Sequence, residues 1–575
     1  MGGRILRKGF YFRLALANVR RSRQTYLPEI IATAVISGVF LLISGLCFSK
    51  TLQNHPSGKS SIMVFSMGLF VFAAFAFGFM VYINNFLIAR RKREFGLYGI
   101  LGLEKRHVGR VLVYENLIVM ASGLALGVAG ALIFGRLLFL VLLRMIHVTP
   151  NSSFSIATVA YALTLGLFGG IFLFTTLLNL RQVHVSNPIE LMQSERKGEK
   201  DAKLIVPIAI VGLVMLVFAY YEAWTITNSS IAIGVFFPLA LLVILATHAL
   251  FSAGSIVVLR ALRKNKSYYY KPAHFVTVSG LFQRMRQNAR SLATICVLST
   301  MLVVTVSGTL SLYLGQGKMV RGMYPYDAEI KYGDEAPDAE IERCTEWVAG
   351  LAAEKNITIE ADMSKLRAFE DVETQERWLN NVVRRGYRAR LVHGLIQTDH
   401  SLVFDMAGET EDCLAFIDAV NAALEEFSLD GVSCSDYYST IQDGYAVYGG
   451  LLFLGAFFGV LFLAVTVLIL YFKQITEGIE DAGRFAVLQK VGMDDTQVRD
   501  TINRQVLIVF FLPLATTLLH MVFASRMMAC MLQTFMLYDW NLVLACIGGT
   551  AVVFVLLYFI VYRLTARVYY RIVRR

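Results

Sequence analysis

The sequence contains little of what an enzyme active site needs. Gly315-Gln316-Gly317-Lys318 is the nearest approach to a phosphate-binding loop, but it lacks the first glycine and a hydroxyl residue after the lysine. There is no CxxC, HExxH or GxSxG pattern, and no two of the 9 histidines stand at the helical spacing of a metal site. We therefore expect no enzyme activity, no metal and no bound cofactor in this chain. Any chemical energy must come from another subunit.

Two histidines, His248 and His520, lie inside long apolar segments. Ionisable groups at membrane depth suggest function by default, so a proton relay is one interpretation. The other is that each side chain hydrogen-bonds across a helix–helix contact. The second interpretation is favoured, because few other polar groups accompany them.

The most informative pattern is a segment that occurs twice, with a shift of 390 residues. Arg93–Leu103 corresponds to Gly483–Met493, and both copies continue into an apolar segment. The matches in register are Phe95 with Phe485, Gly102 with Gly492, Val108 with Val498, and Leu117-Ile118-Val119 with Leu507-Ile508-Val509. The chain therefore contains two related modules.

Both copies place apolar residues at helical spacing beside charged residues. The positions are Phe95, Tyr98 and Leu101 in the first copy, and Phe485, Leu488 and Val491 in the second. The segments are too short to span a membrane, so the apolar face must be buried at the membrane surface, against neighbouring helices, or in a partner's groove. Duplication favours a partner that offers two matching grooves.

These segments must be positioned by membrane helices. Of the 575 residues, 56% are hydrophobic and 17% are charged, whereas soluble proteins usually have about 25% charged residues. Ten segments are long and apolar enough to cross the membrane, so the predicted fold is an all-α polytopic membrane protein. The expected spans are 28–48, 62–88, 112–142, 155–180, 204–222, 231–259, 291–314, 446–472, 505–529 and 541–562.

Charge distribution predicts the topology. Residues 315–445 hold 12 Lys and Arg against 26 Asp and Glu, while the rest of the chain is strongly basic around alternate loops. Because basic residues stay on the cytoplasmic side, both termini are expected in the cytoplasm and 315–445 outside. The net charge of +12 then reflects membrane orientation and not a nucleic-acid site.

The predicted organisation combines the two modules with an insertion. Leu14–Arg23 and Val278–Gln287 are both basic amphipathic stretches that precede a span. The expected units are 1–27, a cytoplasmic amphipathic helix; 28–180, the first four-helix module; 181–203, a linker; 204–259, an inserted helix pair; 260–290, a basic amphipathic segment; 291–314, the seventh span; 315–445, the extracellular domain; 446–562, the last three spans; and 563–575, a basic tail.

The extracellular domain between the seventh and eighth helices is expected to be α+β. Strands are predicted at 327–332, 357–361 and 401–406, and helices at 338–353 and 411–427. Of its cysteines Cys344, Cys413 and Cys434, two could form a disulfide, but three free thiols are favoured because no close spacing indicates a bridge.

Two charge features of this domain could recognise a ligand. Its net charge of −14 could steer cationic peptides, or it could serve solubility alone. A basic cluster could meet lipid headgroups or pyrophosphate, or form a solvated helix face; its members are Arg384, Arg385, Arg388 and Arg390.

These residues carry a family resemblance. The motif Glu94-Phe95-Gly96-Leu97-x-x-x-Leu101-Gly102, its degenerate second copy and Asn187-Pro188-Ile189-Glu190-Leu191-Met192 resemble the FtsX-like permeases of ATP-binding cassette (ABC) transporters. Ten spans with one large domain between the seventh and eighth are similar to the BceB-type permeases of bacterial antimicrobial-peptide resistance. Such permeases are multi-pass proteins of the bacterial plasma membrane.

The resemblance implies an ABC ATPase homodimer that holds ATP and Mg²⁺, contacted by two coupling segments. The residues carried over are Glu94, Phe95, Leu97, Tyr98, Leu101, Gly102, Phe485, Leu488, Val491 and Gly492. It also implies mechanotransmission, in which ATP-driven helix motion moves the extracellular domain and dislodges a peptide from a lipid-linked cell-wall precursor. A membrane histidine kinase is a further implied partner, beside the membrane lipids.

Alternatives remain open. The same family includes permeases that handle lipids or lipoproteins or that control cell-wall hydrolases. An ion-coupled transporter without an ATPase is a different class, but it would show broken helices and more charged groups at the membrane midplane.

Overall fold

A computed structural model describes most of the chain. The described residues are 9–54, 58–100, 103–148, 155–185, 204–270, 272–333, 336–361, 390–398, 400–424, 427, 432–490 and 495–573. For the helix ends at 484–490 and 495–504, the backbone is described but the side chains are not.

Helices dominate the described residues. Before the sheet region they are α1 (Phe10–Arg21), α2 (Arg23–Cys47), α3 (Lys50–Gln53), α4 (Gly58–Ile100), α5 (Lys105–Met145), α6 (Thr158–Val185), α7 (Ile205–Thr225), α8 (Ser229–Ala249), a π-helical turn (Leu250–Gly254), α9 (Ser255–Lys264), α10 (Lys266–Tyr269) and α11 (Pro272–Met323). After it come α14 (Tyr437–Lys490), α15 (Asp495–Leu532), a 3-10 turn (Gln533–Phe535) and α16 (Trp540–Val573).

The ten predicted spans are confirmed as ten helices of sufficient length and hydropathy within the described residues. They lie in α2, α4, α5, α6, α7, the run α8–α9, α11, α14, α15 and α16. The predicted boundaries at 290 and 445 fall inside α11 and α14, because both helices continue well beyond the apolar segment. The stretch Val278–Gln287 is therefore the first part of a 52-residue helix.

The two modules pack in the same way. In the first, α2 contacts α4, α5 and α6; in the second, α11 contacts α14, α15 and α16. Helix α14 also packs against α2 and α4, which joins the modules around one large apolar core. The inserted pair α7 and α8 packs on α15.

Glycine allows the closest helix approach in the first module. A Cβ atom on Gly127 of α5 would lie 2.8 Å from the Ala34 carbonyl oxygen, and one on Gly38 of α2 would lie 2.9 Å from the Gly127 oxygen. With no side chain on either residue, the two backbones pack directly, as small residues do in membrane helix pairs. The shift of 390 places Thr517 at the position of Gly127. Its hydroxyl donates to the Cys296 carbonyl oxygen of α11 at 3.3 Å.

The inserted pair is held by a buried histidine. Tyr220 Oη of α7 lies 2.6 Å from His520 Nδ1 of α15, and Thr247 Oγ1 of α8 lies 3.1 Å from its Nε2. His520 therefore joins three helices through hydrogen bonds. This arrangement supports the packing interpretation for that residue.

Between α11 and α14 the chain forms a small α+β region. Its elements are β1 (Ala328–Lys331), α12 (Asp338–Glu354), β2 (Thr358–Glu360), β3 (Arg390–Val392), β4 (Leu395–Gln397), β5 (Ser401–Ala407), α13 (Thr410–Ala423) and β6 (Ser433–Asp436). The strand order is β3-β4-β5-β1-β6, with β2 also on β5, and every pairing is antiparallel. Helices α12 and α13 cover the sheet with a core around Phe404 and Phe416.

Most of the predicted elements of this region agree with the structure. The expected strands at 327–332, 357–361 and 401–406 correspond to β1, β2 and β5, and both expected helices are present, with α13 ending earlier, at Ala423. Strands β3, β4 and β6 were missed, because they are short and lack clear alternation. Cys344, Cys413 and Cys434 are free thiols, as favoured. Burial raises the pKa of Cys344 to about 11.

Candidate functional site

The duplicated segment forms the tip of a helical hairpin in each module. Helix α4 ends at Ile100 and α5 begins at Lys105, while α14 ends at Lys490 and α15 begins at Asp495. In each module, the repeated segment therefore begins as the direct continuation of a long helix that contains a candidate membrane span.

In the first hairpin, Phe95 points into the protein. Only 6% of it is exposed, and it packs with Ile88, Val108, Leu112 and Val183 of α4, α5 and α6. Tyr98 and Leu103 lie at the edge of the same cluster. Phe95 and Tyr98 therefore fix the hairpin to its own module.

The opposite face of the hairpin tip is apolar and open. Leu97 is 50% exposed and Ile100 is 61% exposed, and they stand three residues apart on one side of the helix. Glu94 is also exposed. Among the predicted coupling residues, Glu94 and Leu97 can reach a partner in this conformation, whereas Phe95 cannot. Leu101 and Gly102 lie outside the described residues. Sequence reasoning missed Ile100, because the stripe through Phe95 was assigned as the contact face.

A buried ion pair locks the first hairpin. Arg91 Nη1 lies 2.7 Å from Glu115 Oε2, and Nη2 lies 3.0 Å from Oε1, so the contact is bidentate. Arg91 is 5% exposed and Glu115 is fully buried. Burial alone would lower the pKa of Arg91, but the neighbouring Tyr26, Glu115 and Glu94 outweigh it and raise the pKa, so the guanidinium remains charged.

The ion pair between α4 and α5 is connected to two further helices, α1 and α2. Asn18 Nδ2 of α1 donates to Glu115 Oε1 at 2.8 Å and lies 3.2 Å from Tyr98 Oη. The Arg91 guanidinium lies 5.2 Å from the Tyr26 ring centre and 5.0 Å from that of Phe95. The base of the hairpin therefore holds α1, α2, α4 and α5 together. Glu115 lies inside the predicted third span, and an acidic residue there was the available sequence signal.

The second hairpin has different polar residues at the positions that correspond to the ion pair of the first. In register, Asp481 occupies the place of Arg91 and Gln505 that of Glu115. Tyr569 Oη of α16 donates to Asp481 Oδ2 at 2.6 Å, and Gln505 Nε2 lies 3.5 Å from the Thr277 carbonyl oxygen of α11. The equivalent of the charged bidentate clamp is therefore absent at these two positions.

Further along α14, the buried face carries more charge. Lys473 and Glu477 are both buried, and Lys473 Nζ lies 3.8 Å from Glu477 Oε1. Of the predicted contact residues in this hairpin, Phe485 and Leu488 belong to the helical end of α14 and their side chains are not described. Val491 and Gly492 lie outside the described residues.

At the other end of the same helices, the sheet joins the membrane helices directly. Strand β6 ends at Asp436 and α14 begins at Tyr437, without a linker. Arg321 Nη1 of α11 lies 2.7 Å from Asp327 Oδ1, and its guanidinium lies 3.8 Å from the Tyr437 ring centre. Asp327 Oδ2 accepts from the Met406 N–H at 2.9 Å. One carboxylate thus connects α11, β1 and β5 beside the start of α14.

The remaining predicted site residues are not brought together. Of the basic cluster, Arg390 begins β3 and is exposed, while Arg384, Arg385 and Arg388 lie outside the described residues. Gly315–Lys318 lies inside α11, so its backbone N–H groups form helix bonds and no phosphate loop. Among the described residues, no group of histidine, cysteine and acidic side chains could hold a metal ion.

Comparison with known proteins identifies the repeated part. A family model described as FtsX-like permease C-terminal matches residues 66–188 and 456–569, again 390 residues apart at their starts. The same family model therefore matches both modules of the chain. Each match contains one hairpin with the membrane helices around it.

Several known proteins match nearly the whole chain at low sequence identity. The chain is 23% identical to the uncharacterized ABC transporter permease YvcS of Bacillus subtilis, over 91% of this chain and 94% of that protein. It is 22% identical to the ABC transporter permease protein YxdM of the same organism, over 90% and 93%. It is 21% identical to the bacitracin export permease protein BceB of Halalkalibacterium halodurans, over 89% and 92%.

Proposed function

We propose that this chain, an ABC transporter permease with two FtsX-like domains, transmits force from a cytoplasmic ATPase to the α+β region at 328–436. Permeases of this type work with an ABC ATPase subunit. The hairpin tips at 94–103 and 484–493 are the contacts with an ATPase homodimer, which holds the ATP and Mg²⁺. Both termini then lie in the cytoplasm and the α+β region lies outside.

The length of α14 is the observation that carries this proposal. It runs for 54 residues without a break, from β6 to the second hairpin tip. At about 1.5 Å per residue, such a helix is about 80 Å long, more than twice the thickness of the hydrocarbon core. A shift at the ATPase end would therefore reach the sheet through a single rigid element.

The sheet is built to receive motion from two helices. Strands β1 and β6 pair with each other; β6 runs directly into α14, and β1 follows α11 after residues 324–327. Helices α11 and α14 also pack along each other. Sliding or tilting of one helix against the other would strain the β1–β6 pairing directly, so the region must move as a unit.

The names of the relatives and the charge of residues 315–445 support a biological role. A relative is named as a bacitracin export permease, and we propose that this chain likewise acts in resistance to, and sensing of, antimicrobial peptides. The net charge of −14 in residues 315–445 favours a cationic peptide, whose association rate should fall as salt rises. The target is a lipid-linked cell-wall precursor, and a membrane histidine kinase reads the same motion.

An insertion at the strand–helix junction tests the proposal. Four Gly-Ser residues between Asp436 and Tyr437 should leave ATPase binding and ATP hydrolysis intact but abolish peptide resistance, because the sheet is uncoupled from α14. The same insertion after Thr227, between α7 and α8, is the matched control and should preserve resistance. Resistance that survives the junction insertion would contradict force transmission through α14.

A further inference from the structure

A pocket of about 440 Å³ lies where the inserted helices return to the second module. Its wall comes from α9, α10 and the beginning of α11, and the lining residues include Leu259, Arg263, Tyr269, Phe275 and Ser279. The sixth candidate span ends at Lys264, which places the pocket near one end of the helices that are long enough to cross a membrane.

The pocket combines a fixed polar floor with a charged rim. Tyr269 is buried, and its hydroxyl lies 2.9 Å from Ser279 Oγ. The exposed Arg263 guanidinium lies 5.9 Å from the Tyr269 ring centre, so the arginine lies over the aromatic wall. One hydroxyl of the pair donates to the other, so the accepting hydroxyl and the guanidinium can donate hydrogen bonds to a phosphate oxygen.

Aromatic side chains extend outward from the same opening. Tyr270 is 69% exposed, and Phe275 and Tyr268 are also exposed. Tyr268 is held by His274, whose ring lies 4.2 Å from the tyrosine ring. Exposed aromatic rings beside basic residues are typical of the interfacial layer of a membrane, where ring faces contact glycerol and upper acyl chains.

The charge of the residues around the pocket indicates which kind of ligand it would bind. No Asp or Glu occurs between Glu222 and Asp327, while the segment around the pocket contains Arg260, Arg263, Lys264 and Lys266. The stretch of sequence that forms the pocket is therefore strongly basic. An anionic group is the chemically matched occupant, and the adjoining aromatic rings require that it carry an apolar part.

We propose that the pocket binds the headgroup of an anionic phospholipid from the cytoplasmic leaflet. Arg263 and the Tyr269–Ser279 pair contact the phosphate, and Tyr270 and Phe275 contact the glycerol and first acyl carbons. The lipid holds α9 and α10 against α11, the helix that leads to β1. The site is distinct from the hairpin tips and does not depend on the peptide ligand.

Lipid retention by the purified full-length permease tests this assignment. The protein is equilibrated with equal amounts of phosphatidylglycerol and phosphatidylcholine, and bound lipids are counted by native mass spectrometry. Phosphatidylglycerol should be retained preferentially by the unaltered chain. Arg263→Gln should reduce its retention about fivefold, the effect of about 1 kcal/mol for one basic residue at an anionic membrane surface.

Two further variants separate a built site from general attraction. Arg567→Gln removes an exposed charge from α16 and should leave retention unchanged. Ser279→Leu fills the pocket without changing any charge and should lower retention as Arg263→Gln does. Equal retention of the two lipids, equal losses in Arg263→Gln and Arg567→Gln, or full retention in Ser279→Leu would each overturn the proposal. Displacement of the lipid by inorganic phosphate alone would show a soluble-anion site and would also overturn it.

Discussion

The two hairpins occupy equivalent positions in the repeat but are held by different buried polar contacts. The first is clamped by Arg91 and Glu115 and tied to α1 through Asn18. The second has Asp481 and Gln505 at those positions, and Asp481 accepts from Tyr569 of α16. Two equivalent helical hairpins can therefore be held against different neighbouring helices when two or three buried polar residues differ.

The difference separates the roles that we propose for the two modules. Helix α4 begins at Gly58, close to the preceding α3, whereas α14 continues directly from the sheet. A charged clamp resists motion, because separating a buried ion pair is costly. We infer that the first hairpin is the fixed contact with the ATPase and that the second is the end of the moving helix.

Breaking the clamp should have the largest effect. Glu115→Gln removes the buried bidentate partner of Arg91 and leaves only the half-exposed Glu94, 3.0 Å from Arg91 Nε, as counter-ion. It should lower the free energy of unfolding by about 3 kcal/mol. Tyr569→Phe, which removes one hydrogen bond to Asp481 in the second module, should cost about 1.5–3 kcal/mol. Both are measured by SDS titration of the purified permease. If Tyr569→Phe lowered the free energy of unfolding as much as Glu115→Gln, the proposed difference between the two hairpins would be contradicted.

A double variant checks the physical reason for that loss. Arg91→Met combined with Glu115→Leu removes both charges and keeps the side-chain volume close to the original. It should recover much of the stability lost in Glu115→Gln, because no unpaired charge stays buried. Failure to recover would mean that shape, and not charge pairing, fixes the first hairpin.

Helix contact in the first module provides a second test. Gly127→Leu forces α2 and α5 apart and should cost about 1–3 kcal/mol. Gly130→Leu lies on the same helix with open space around the added carbon and should change stability by less than about 0.5 kcal/mol. The same titration measures both, and similar losses would argue against direct backbone contact at Gly127.

The partner contact should be unequal between hairpins. Ile100→Asp places a charge on the exposed apolar face and should weaken ATPase retention by about 1–2 kcal/mol in a pull-down, with no loss of stability. Val487→Asp, in register with Leu97, should weaken it less, because residues 89–110 carry seven basic and two acidic residues whereas 473–501 carry four and six. Phe95→Asp should mainly lower the free energy of unfolding, and not the ATPase contact itself, since Phe95 is buried. Equal binding losses at Ile100 and Val487 would contradict the inequality.

The smallest expected effect concerns Asp436, the last residue before α14. Burial raises the pKa of this carboxyl, so its contribution to stability is full below the unfolded pKa and is lost as pH rises through the folded pKa. Asp436→Asn should therefore flatten the fall in thermal midpoint on going from acidic to neutral pH, while still accepting from the Ser439 N–H. An unchanged pH profile would show that Asp436 does not titrate in this way.

Much of the helical architecture could be predicted from the sequence, because it depends on the spacing of apolar residues and on the length of apolar segments. Ten apolar segments predicted ten helices among the described residues, and the shift of 390 residues predicted that both repeated segments occupy equivalent places between long helices. The unbroken continuation of α11 and α14 beyond the membrane was not predicted. Polar helical segments that follow an apolar span have no boundary signal of their own, and hydropathy marks only the apolar part.

The site was harder to predict because it depends on side-chain direction. The apolar stripe through Phe95 and Tyr98 was recognised, but only the fold shows that it faces α5 and α6 while Leu97 and Ile100 face outward. Arg91 was counted among the cytoplasmic charges that set topology. Its bidentate partner stands 24 residues away on another helix, a distance that no local pattern records.

Motion of the α+β region relative to the membrane helices is the most direct test of force transmission. Nitroxide labels on cysteines introduced at Glu411 of α13 and Thr227 between α7 and α8 would report one distance across that boundary, since both positions are exposed and the native cysteines are buried or half-buried. In the complex with its ATPase, pulsed electron paramagnetic resonance should show a shifted distance when ATP is bound. The shift should disappear in the variant with Gly-Ser residues between Asp436 and Tyr437, although ATP is still hydrolysed. An unchanged distance in the unaltered chain, or the same shift in the insertion variant, would contradict transmission through α14.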